Sequence, residues 1–446
     1  MSKTARIFVT QKDTDLRLSP SVPAEFTSQP GLENNAVNIY PEIKFQEITG
    51  FGGAITEAAH DTLARLAPAN QRKILELYFD KERGLGYELI RTHINSCDFA
   101  LGNYAYAAAG DRELAAFDLS RDVNGMFKTI LAAQSIGGNN VKVLASPWSP
   151  PAWMKTNGEM NHGGKLRDDC QRLWAEYLAK YLVETRRLGI NVRYLTVQNE
   201  PNATQQWDSC VYAADDEAEF VKRHLAPVFR ERGIDTKVLV WDHNKERVFE
   251  RATDIFADAE TREFVWGVAF HWYSGDHFEA LALTHAAFPE KHLMFSEGCV
   301  EMRRHGPEAT WAHGERYAHD IIGNLNNFTG AWFDWNILLD QRGGPNHVNN
   351  FCSAPIMANV ETGAVTLNTS YYYIGHFSKF IPAGSRRVGF SKYTQALDVT
   401  AFQTPRGETV VVLMNATDRD LAANIRLRDD VLPLTVNARS IMTVVF

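Results

Sequence analysis

Two glutamates, Glu200 and Glu297, each follow a short apolar segment. Residues 194–197 lead through an amide pair to Glu200 and then a proline, and residues 292–296 lead to Glu297 and then a glycine. Apolar runs bounded by proline or glycine are typical of short buried strands. Two carboxyl groups at the ends of such strands could cleave a glycosidic bond, since one can protonate the departing oxygen while the other attacks or activates water.

Other polar and aromatic residues also follow predicted strands. These are Asp98, Trp148, Asn199, His271, Trp272, Tyr273, Trp335 and Asn336. Carboxylates and amides bind sugar hydroxyls, whereas indole rings cover the apolar faces of a sugar, so the set is typical of a carbohydrate pocket. We expect Tyr273 to hydrogen-bond the nucleophile.

Several of these residues also allow a purely structural interpretation. Asp98 could cap a turn or pair with an arginine such as Arg91, and Trp148 could pack inside a proline-rich loop. His271 and Trp272 could be satisfied core residues. The residue types alone leave these alternatives open.

Eight strand-then-helix units supply the elements that must position these groups. The predicted strands are 48–54, 87–95, a third one from Asn140, 194–199, 236–243, 265–273, 292–297 and 329–336. Predicted helices include 70–79, 169–188 and 215–232, and the glycines at 50–53 are interpreted as a tight turn. Regular alternation favours an α/β fold, a (β/α)₈ TIM barrel, whose catalytic groups lie at the carboxyl ends of the strands.

The two ends of the chain have a different pattern. Residues 6–40 contain short strand-like pieces broken by prolines, and after about residue 375 strand-like runs follow one another with only turns between them. This pattern predicts an attached antiparallel β-sandwich built from both chain ends. We therefore expect N-terminal sandwich strands in 1–44, a catalytic barrel in 45–375 and a C-terminal sandwich in 376–446.

The composition excludes several classes of protein. The 446 residues include 46 Lys and Arg against 54 Asp and Glu, which gives a net charge of −8 and makes nucleic-acid binding unexpected. No run is long and apolar enough for stable membrane insertion. No secretory leader is recognisable, and the five cysteines show no close pairing, so reduced thiols and a cytoplasmic location are expected. No CxxC or HExxH spacing suggests a metal site.

Motifs spread along the chain resemble those of glycoside hydrolase family 30, and within it the glucosylceramidase (glucocerebrosidase) branch. The matching stretches are ITGFGGAITEA (48–58), SCDF (96–99), ASPWSPPAWMKTN (145–157), VQNEP (197–201), HWY (271–273), FDWN (333–336), GGPN (343–346) and GHFSKFIPAGS (375–385). The resemblance implies a barrel with a closely attached sandwich, as the periodicity also predicts.

The resemblance implies specific roles. By position, Glu200 is similar to the acid/base and Glu297 to the nucleophile of the family, and Asp98, Trp148, Asn199 and Trp335 to its sugar-binding set. Asn350 lies where that branch contacts substrate. His347 and the Ser296 and Gly298 neighbours of Glu297 depart from the glucosylceramidase pattern, which bears on the aglycone and not on catalysis.

The expected activity is retaining hydrolysis of terminal β-glucosyl residues, on glucosylceramide or a related β-glucoside or glucosyl lipid. Retention predicts carboxyl groups roughly 5–5.5 Å apart, and the charge of Glu297 is expected to raise the pKa of Glu200. The chemistry needs no metal or organic cofactor. β-Xylosidase, β-fucosidase, β-1,6-glucanase and a non-catalytic carbohydrate-binding barrel remain alternatives, and the oligomeric state is left open.

Overall fold

The computed structural model describes residues 4–138, 141–306 and 310–446. Eight parallel strands form a closed barrel in which each strand pairs with the next along the chain and the last pairs with the first. In chain order they are β1 to β8: Gly50–Ala54, Leu89–Ile94, Lys142–Pro147, Val192–Thr196, Lys237–Asn244, Gly267–His271, His292–Glu297 and Thr329–Asp334. The predicted barrel is confirmed, although Asn140, where the third strand was expected to begin, lies outside the described residues.

Every barrel strand is followed by at least one helix. The helices are Glu57–Ala64, Pro68–Phe79, Ser120–Asn124, Met126–Gly137, Gln171–Arg187, Ala214–Phe220, Ala226–Glu231, Val248–Phe256, Ala259–Phe264, Phe278–Ala287, Met302–His305, Trp311–Asn326 and Thr369–Ser378. The predicted helix 215–232 is interrupted by a π-helical turn at Val221–Leu225. Within the described ranges, no helix has the length and apolar character needed to cross a membrane.

The glycine-rich segment 50–53, interpreted from sequence as a tight turn, is instead strand β1. A Cβ atom placed on Gly52 would lie 2.1 Å from the backbone oxygen of Leu89 in the neighbouring strand β2. Glycine is therefore required here by the close approach of two backbones. Side chains of the other strands fill one buried cluster, namely Leu89, Leu144, Tyr194, Leu239, Ala269, Met294, Ala331 and Phe333.

The chain ends build the predicted sandwich domain from eleven strands that belong to one hydrogen-bonded network. The strands are Thr4–Gln11, Ser19–Pro20, Ala24–Glu25, Thr27–Ser28, Ala36–Glu47, Arg386–Lys392, Leu397–Gln403, Thr409–Asn415, Leu421–Leu427, Asp430–Val436 and Ser440–Val445. Ala36–Glu47 joins the two ends, because it pairs antiparallel with Arg386–Lys392 and parallel with Leu421–Leu427.

Polar contacts attach the barrel to the sandwich. His376, on the helix after β8, lies fully buried with its ring nitrogens 2.8 Å from the Thr443 hydroxyl and 2.9 Å from the Thr10 hydroxyl. Burial lowers the pKa of His376 to about 3, so this imidazole is neutral. Both chain ends are thus tied to the last barrel helix. The domain boundaries at residues 45 and 376 stay predictions.

Candidate active site

A cavity of about 760 Å³ opens at the carboxyl ends of the barrel strands. Eight of the nine site residues predicted from sequence line it, namely Asp98, Trp148, Asn199, Glu200, Tyr273, Glu297, Trp335 and Asn350. The ninth, His271, does not line the cavity. It is fully buried behind the cavity wall, where its Nδ1 lies 3.4 Å from Glu200 and 4.0 Å from Glu297.

The backbone of Glu200 turns sharply just after β4. Its φ angle of +46° is left-handed, a conformation that a glutamate rarely adopts and that surrounding structure must impose. The Glu200 amide donates to the backbone oxygen of Asp242 at 3.0 Å, and the preceding Asn199 amide donates to that of Pro147 at 2.8 Å. Strands β3 and β5 therefore hold the turn from both sides. Glu297, in contrast, is the last residue of β7.

The two carboxyl groups lie close together. One oxygen of each and a ring nitrogen of His271 all lie within 4.8 Å of one another. Inverting glycosidases separate their carboxyl groups by roughly 6.5–9.5 Å to admit a water molecule, whereas retaining ones hold them about 5–5.5 Å apart. The separation of Glu200 and Glu297 fits the retaining geometry.

Glu297 accepts two strong hydrogen bonds. The Arg91 guanidinium donates through Nη1 to Oε2 at 2.5 Å, and the Tyr273 hydroxyl donates to Oε1 at 2.8 Å. Burial raises the pKa of Glu297, against the opposing charges of His271 and Arg91. The two donors orient the carboxylate and favour its ionised form, as an attacking oxygen requires.

Arg91 and Asp242 form the fully buried base of the site. Arg91 also donates through Nη2 to the Asp242 carboxylate at 2.9 Å and to the Asn199 amide oxygen at 3.0 Å. Asp242 in turn accepts at 2.7 Å from Thr196 and at 2.5 Å from Ser296. Burial raises the pKa of Asp242, but the Arg91 charge, the charge and hydrogen bond of His271 and the Ser296 hydrogen bond together outweigh burial and lower this pKa, which favours the ionised carboxylate. Charge pairing thus fixes Arg91 under Glu297.

Glu200 has a different environment. Its nearest donors are His271 Nδ1 and Gln205 Nε2, each 3.4 Å away, with His243 Nε2 at 3.9 Å. Among the residues that the structure describes, no arginine or tyrosine donates a hydrogen bond to this carboxyl group. The weaker contacts leave Glu200 free to exchange a proton with a ligand.

The predicted rise in the pKa of Glu200 is wrong. Burial raises this pKa, but the charges of His243 and His271 outweigh burial and lower it to about 2. The cause lies in His271, whose Nε2 lies 3.0 Å from Asp242. Burial lowers the pKa of His271, but the charges and hydrogen bonds of Glu297, Asp242 and Glu200 raise it to about 9. The proton therefore resides on His271 beside Glu200.

Four of the remaining predicted residues, Asp98, Asn350, Trp148 and Trp335, line the same cavity. Asp98 accepts from the Asn350 amide at 2.9 Å, and burial followed by the charge of Glu297 raises the pKa of Asp98 well above its usual range. The rings of Trp148 and Trp335 stack at 5.2 Å. Asp98 and Asn350 present polar atoms to the cavity, and the indoles present apolar edges, which is the combination a sugar ring requires.

The structure brings further groups to the cavity that sequence analysis does not name. They are Gln205, Gln206, Trp207, His243, Asn244, Glu301, Arg303, Arg304 and Asn349. His243 and Asn244 end β5, so the strand-end rule itself could have found them. Glu301 lies in the short strand Val300–Glu301, and Arg303 and Arg304 lie in the helix Met302–His305. The remaining four come from loops, which periodicity does not place. Arg91, considered only as a partner for Asp98, contacts Glu297 instead.

The cluster of Glu200, His271 and Glu297 brings together three side chains whose donor atoms could also hold a cation. Two features disfavour that use. The Arg91 guanidinium already occupies one oxygen of Glu297, and the His271 ring carries a proton between two carboxylates. A metal ion would have to displace both positive charges, so the cluster fits proton transfer better than metal binding.

Comparison with known proteins places the chain in a family. The profile of the glycosyl hydrolase family 30 TIM-barrel domain matches residues 48–381, and that of the family's β-sandwich domain matches residues 384–444. The lysosomal acid glucosylceramidase of Mus musculus is 34% identical over 406 residues, which cover 87% of this chain and 79% of the relative.

Solved structures agree. SrfJ from Salmonella typhimurium superposes with a TM-score of 0.96 at 36% identity, over 100% of this chain and 99% of SrfJ. An endo-β-1,6-glucanase superposes with a TM-score of 0.89 at 26% identity, over 99% of both chains. With both domain profiles matched in order and a curated relative above 30% identity, the chain belongs to glycoside hydrolase family 30.

Proposed function

We propose that this protein hydrolyses terminal β-glucosyl residues with retention, through a covalent glycosyl-enzyme intermediate. The observation that carries the proposal is the separation of the Glu200 and Glu297 oxygens, which lie within 4.8 Å. That distance leaves no room for a water molecule aligned between Glu297 and an anomeric carbon, so direct attack by the carboxylate is favoured.

The contacts of the two glutamates support separate roles. Glu297, oriented by hydrogen bonds from Arg91 and Tyr273, attacks the anomeric carbon as its carboxylate. The proton for the departing oxygen comes from the His271–Glu200 pair, whose atoms lie 3.4 Å apart. Sugar binding removes water, and a low dielectric favours neutral His271 with protonated Glu200 over two separated charges. Glu200 then gives this proton to the leaving group and, as a base, takes one from the incoming water.

The wall of the pocket supports a sugar as ligand. Asp98 and Asn199 are proposed to bind hydroxyl groups, with Asn199 oriented by the bond from Arg91 to its amide oxygen. Trp148 and Trp335 are proposed to contact the sugar's C–H face, and Asn350 to hold Asp98 or bind the substrate directly. Hydrogen bonds that strengthen in the transition state contribute several kcal/mol in such enzymes.

The β-glucosyl class is supported by the named relatives of this chain. Glucosylceramidases from mouse and Caenorhabditis elegans are 34% identical to it. A second candidate, β-1,6-glucan hydrolysis, is favoured by the similarity to endo-β-1,6-glucanases at 25–26% identity. β-Xylosidase and β-fucosidase activities remain possible on the same scaffold, since the residue that faces the sugar C6 group decides among them.

A substrate series with an active-site variant tests the proposal. We expect aryl β-glucoside to be cleaved faster than the xyloside, fucoside and galactoside, with the β-anomer of the product appearing first by NMR. Glucosylceramide and a β-1,6-glucan in the same series separate the two candidates. Glu297→Gln should lower kcat by at least about 10⁴-fold, because it removes the attacking oxygen.

Glu290→Gln is the matched control, since Glu290 lies just before the other end of the same strand, β7, and pairs there with Arg262. It should retain the parent rate. Full activity in the Glu297→Gln protein would contradict the assignment of the nucleophile. Sugar binding without hydrolysis of any substrate would instead indicate a carbohydrate-binding barrel.

A further inference from the structure

Two cysteines face each other beside the nucleophile. Cys299 lies two residues after Glu297 and Cys352 two residues after Asn350, and their sulfur atoms are 3.3 Å apart. Both thiols are nearly inaccessible overall, with 3% and 1% exposure, yet both line the active-site cavity. All five cysteines of the chain are free, and this is the pair whose sulfurs are in contact.

The pair connects the two sides of the pocket. The short strands Val300–Glu301 and Cys352–Ser353 are hydrogen-bonded to each other, so the segment after Glu297 is already adjacent to the segment after Asn350. The Cys299 sulfur is 3.5 Å from the Tyr273 hydroxyl, which donates to Glu297 at 2.8 Å. A movement of the Cys299 sulfur can therefore alter the hydrogen bond of the nucleophile Glu297, because Tyr273 contacts both groups.

From this geometry we propose that Cys299 and Cys352 are a modification site, which a peroxide oxidises to a disulfide that slows hydrolysis. A disulfide bond is about 2.05 Å long, so the sulfurs need to approach by only about 1.2 Å. The reduced pair lies in a protein with five free thiols, and the cavity gives a small oxidant such as hydrogen peroxide a path to both sulfurs.

The reaction is balanced with one equivalent of hydrogen peroxide. One cysteine sulfur attacks a peroxide oxygen, the O–O bond breaks, and water leaves with the thiol proton, which gives a sulfenic acid. The second sulfur attacks the first, the S–O bond breaks, and a second water leaves with the second thiol proton. The two thiols lose two electrons, and the two peroxide oxygens gain them.

The bond would slow hydrolysis by a local movement. As Cys299 approaches Cys352, its sulfur leaves the Tyr273 hydroxyl and disturbs the hydrogen bond from Tyr273 to Glu297. The same movement pulls on Asn350, which donates to Asp98. Because a hydrogen bond to a charged group is disturbed, we expect kcat/KM for an aryl β-glucoside to fall roughly tenfold.

Peptide mapping tests the site independently of activity. The full chain is treated with hydrogen peroxide at about pH 8.5, where more thiolate forms, then alkylated and digested with trypsin. Cleavage yields peptides 292–303 and 343–379, each with one cysteine. We expect a linked species of these two peptides, lighter by two hydrogens than their sum, together with the loss of activity. Dithiothreitol should reverse both changes.

Two variants complete the test, with activity expressed as the ratio of treated to untreated protein. Cys352→Ala should give no linked peptide and no dithiothreitol-reversible loss, whereas Cys170→Ala, which alters a buried thiol beside Asp169, should behave like the parent. Absence of the linked peptide in the parent, or a linked peptide with unchanged activity, would overturn the proposal. The inference about rate rests on the proposed function, but the peptide result decides the chemistry even if the aryl β-glucoside is not cleaved.

Discussion

At the scale of single residues, the tyrosine beside the nucleophile makes a contribution that can be measured. Tyr273→Phe removes the hydroxyl that donates to Glu297 at 2.8 Å and keeps the ring. A hydrogen bond to a charged group contributes about 1.5–3 kcal/mol, so kcat/KM on an aryl β-glucoside should fall roughly 10- to 150-fold. Tyr393→Phe, on an exposed tyrosine of the sandwich, should leave the rate unchanged. Equal rates in both variants would show that Glu297 does not need this donor.

His271 predicts the form of the pH–rate profile. Hydrolysis needs Glu297 without a proton and one proton on the His271–Glu200 pair. Burial raises the pKa of Glu297 above its ordinary value, so activity falls as the pH decreases through that raised value. The pKa of His271 is raised to about 9, mainly by Glu297 against burial, so activity also falls as the pH increases through about 9. The profile should be bell-shaped.

His271→Gln tests the source of the alkaline limb. Without the imidazole the proton resides on Glu200 alone, so the limb should move to lower pH by at least about one unit. Initial rates of kcat/KM from about pH 4 to 10 measure it, with samples returned to neutral pH to exclude unfolding. An alkaline limb at the same pH in the variant would exclude His271 as the proton carrier.

The identity of the two proposed catalytic glutamates could be predicted from the sequence, but the charged neighbours of the site residues could not. Glu200 and Glu297 are recognisable because each lies at or shortly after the end of an apolar strand, and both line the cavity. The lowering of the Glu200 pKa could not be predicted from sequence, because it depends on His243 and His271. These two histidines become neighbours of Glu200 only when strands β4, β5 and β6 pair. Arg91 is considered from sequence only as a partner for Asp98 for the same reason, since its actual carboxylate partners, Asp242 and Glu297, come from β5 and β7.

At the scale of elements, the strand-then-helix alternation located all eight barrel strands, although the glycines inside the first predicted strand, 48–54, are interpreted from sequence as a tight turn. A strand of mostly glycine carries no apolar alternation, and its extended form is imposed by contact with β2. The sandwich strands Arg386–Lys392 and Asp430–Val436 are also hard to recognise from sequence, because charged residues and a proline interrupt their apolar pattern. Where the local composition does not favour one secondary structure, tertiary contacts determine whether the segment forms a strand.

Because β1 approaches β2 so closely, we expect a single added methyl group in β1 to lower the free energy of unfolding strongly. Gly52→Ala places a Cβ atom against the backbone oxygen of Leu89, which cannot rotate away. Overpacking of this kind destabilises a fold by about 1–3 kcal/mol, and a rigid backbone contact belongs at the upper end. Urea unfolding followed by circular dichroism measures the loss. Gly31→Ala is the control, since nothing lies within 4 Å of its added Cβ, and a similar loss there would contradict the argument.

At the scale of the whole molecule, barrel and sandwich are joined by groups whose charge depends on pH. His319, on the helix Trp311–Asn326, lies 2.7 Å from Asp398 of the sandwich and 3.1 Å from Asp276 of the barrel. The hydrogen bond to Asp398, followed by the charges of both aspartates against burial, raises the pKa of His319 to about 9. This histidine is cationic at neutral pH and links the two domains.

The contribution of His319 to stability should vanish in alkali. Because its pKa is raised by folding, the stabilisation is complete below the unfolded value of about 6.5 and is lost as the pH rises through about 9. The Tm of the parent should therefore exceed that of His319→Gln at pH 6, and the two should converge by about pH 10. The side chain is 43% exposed, so solvent screening keeps the difference small. Asp398→Asn should lower Tm over the same pH window, and a Tm difference independent of pH would show that His319 acts by packing and not by charge.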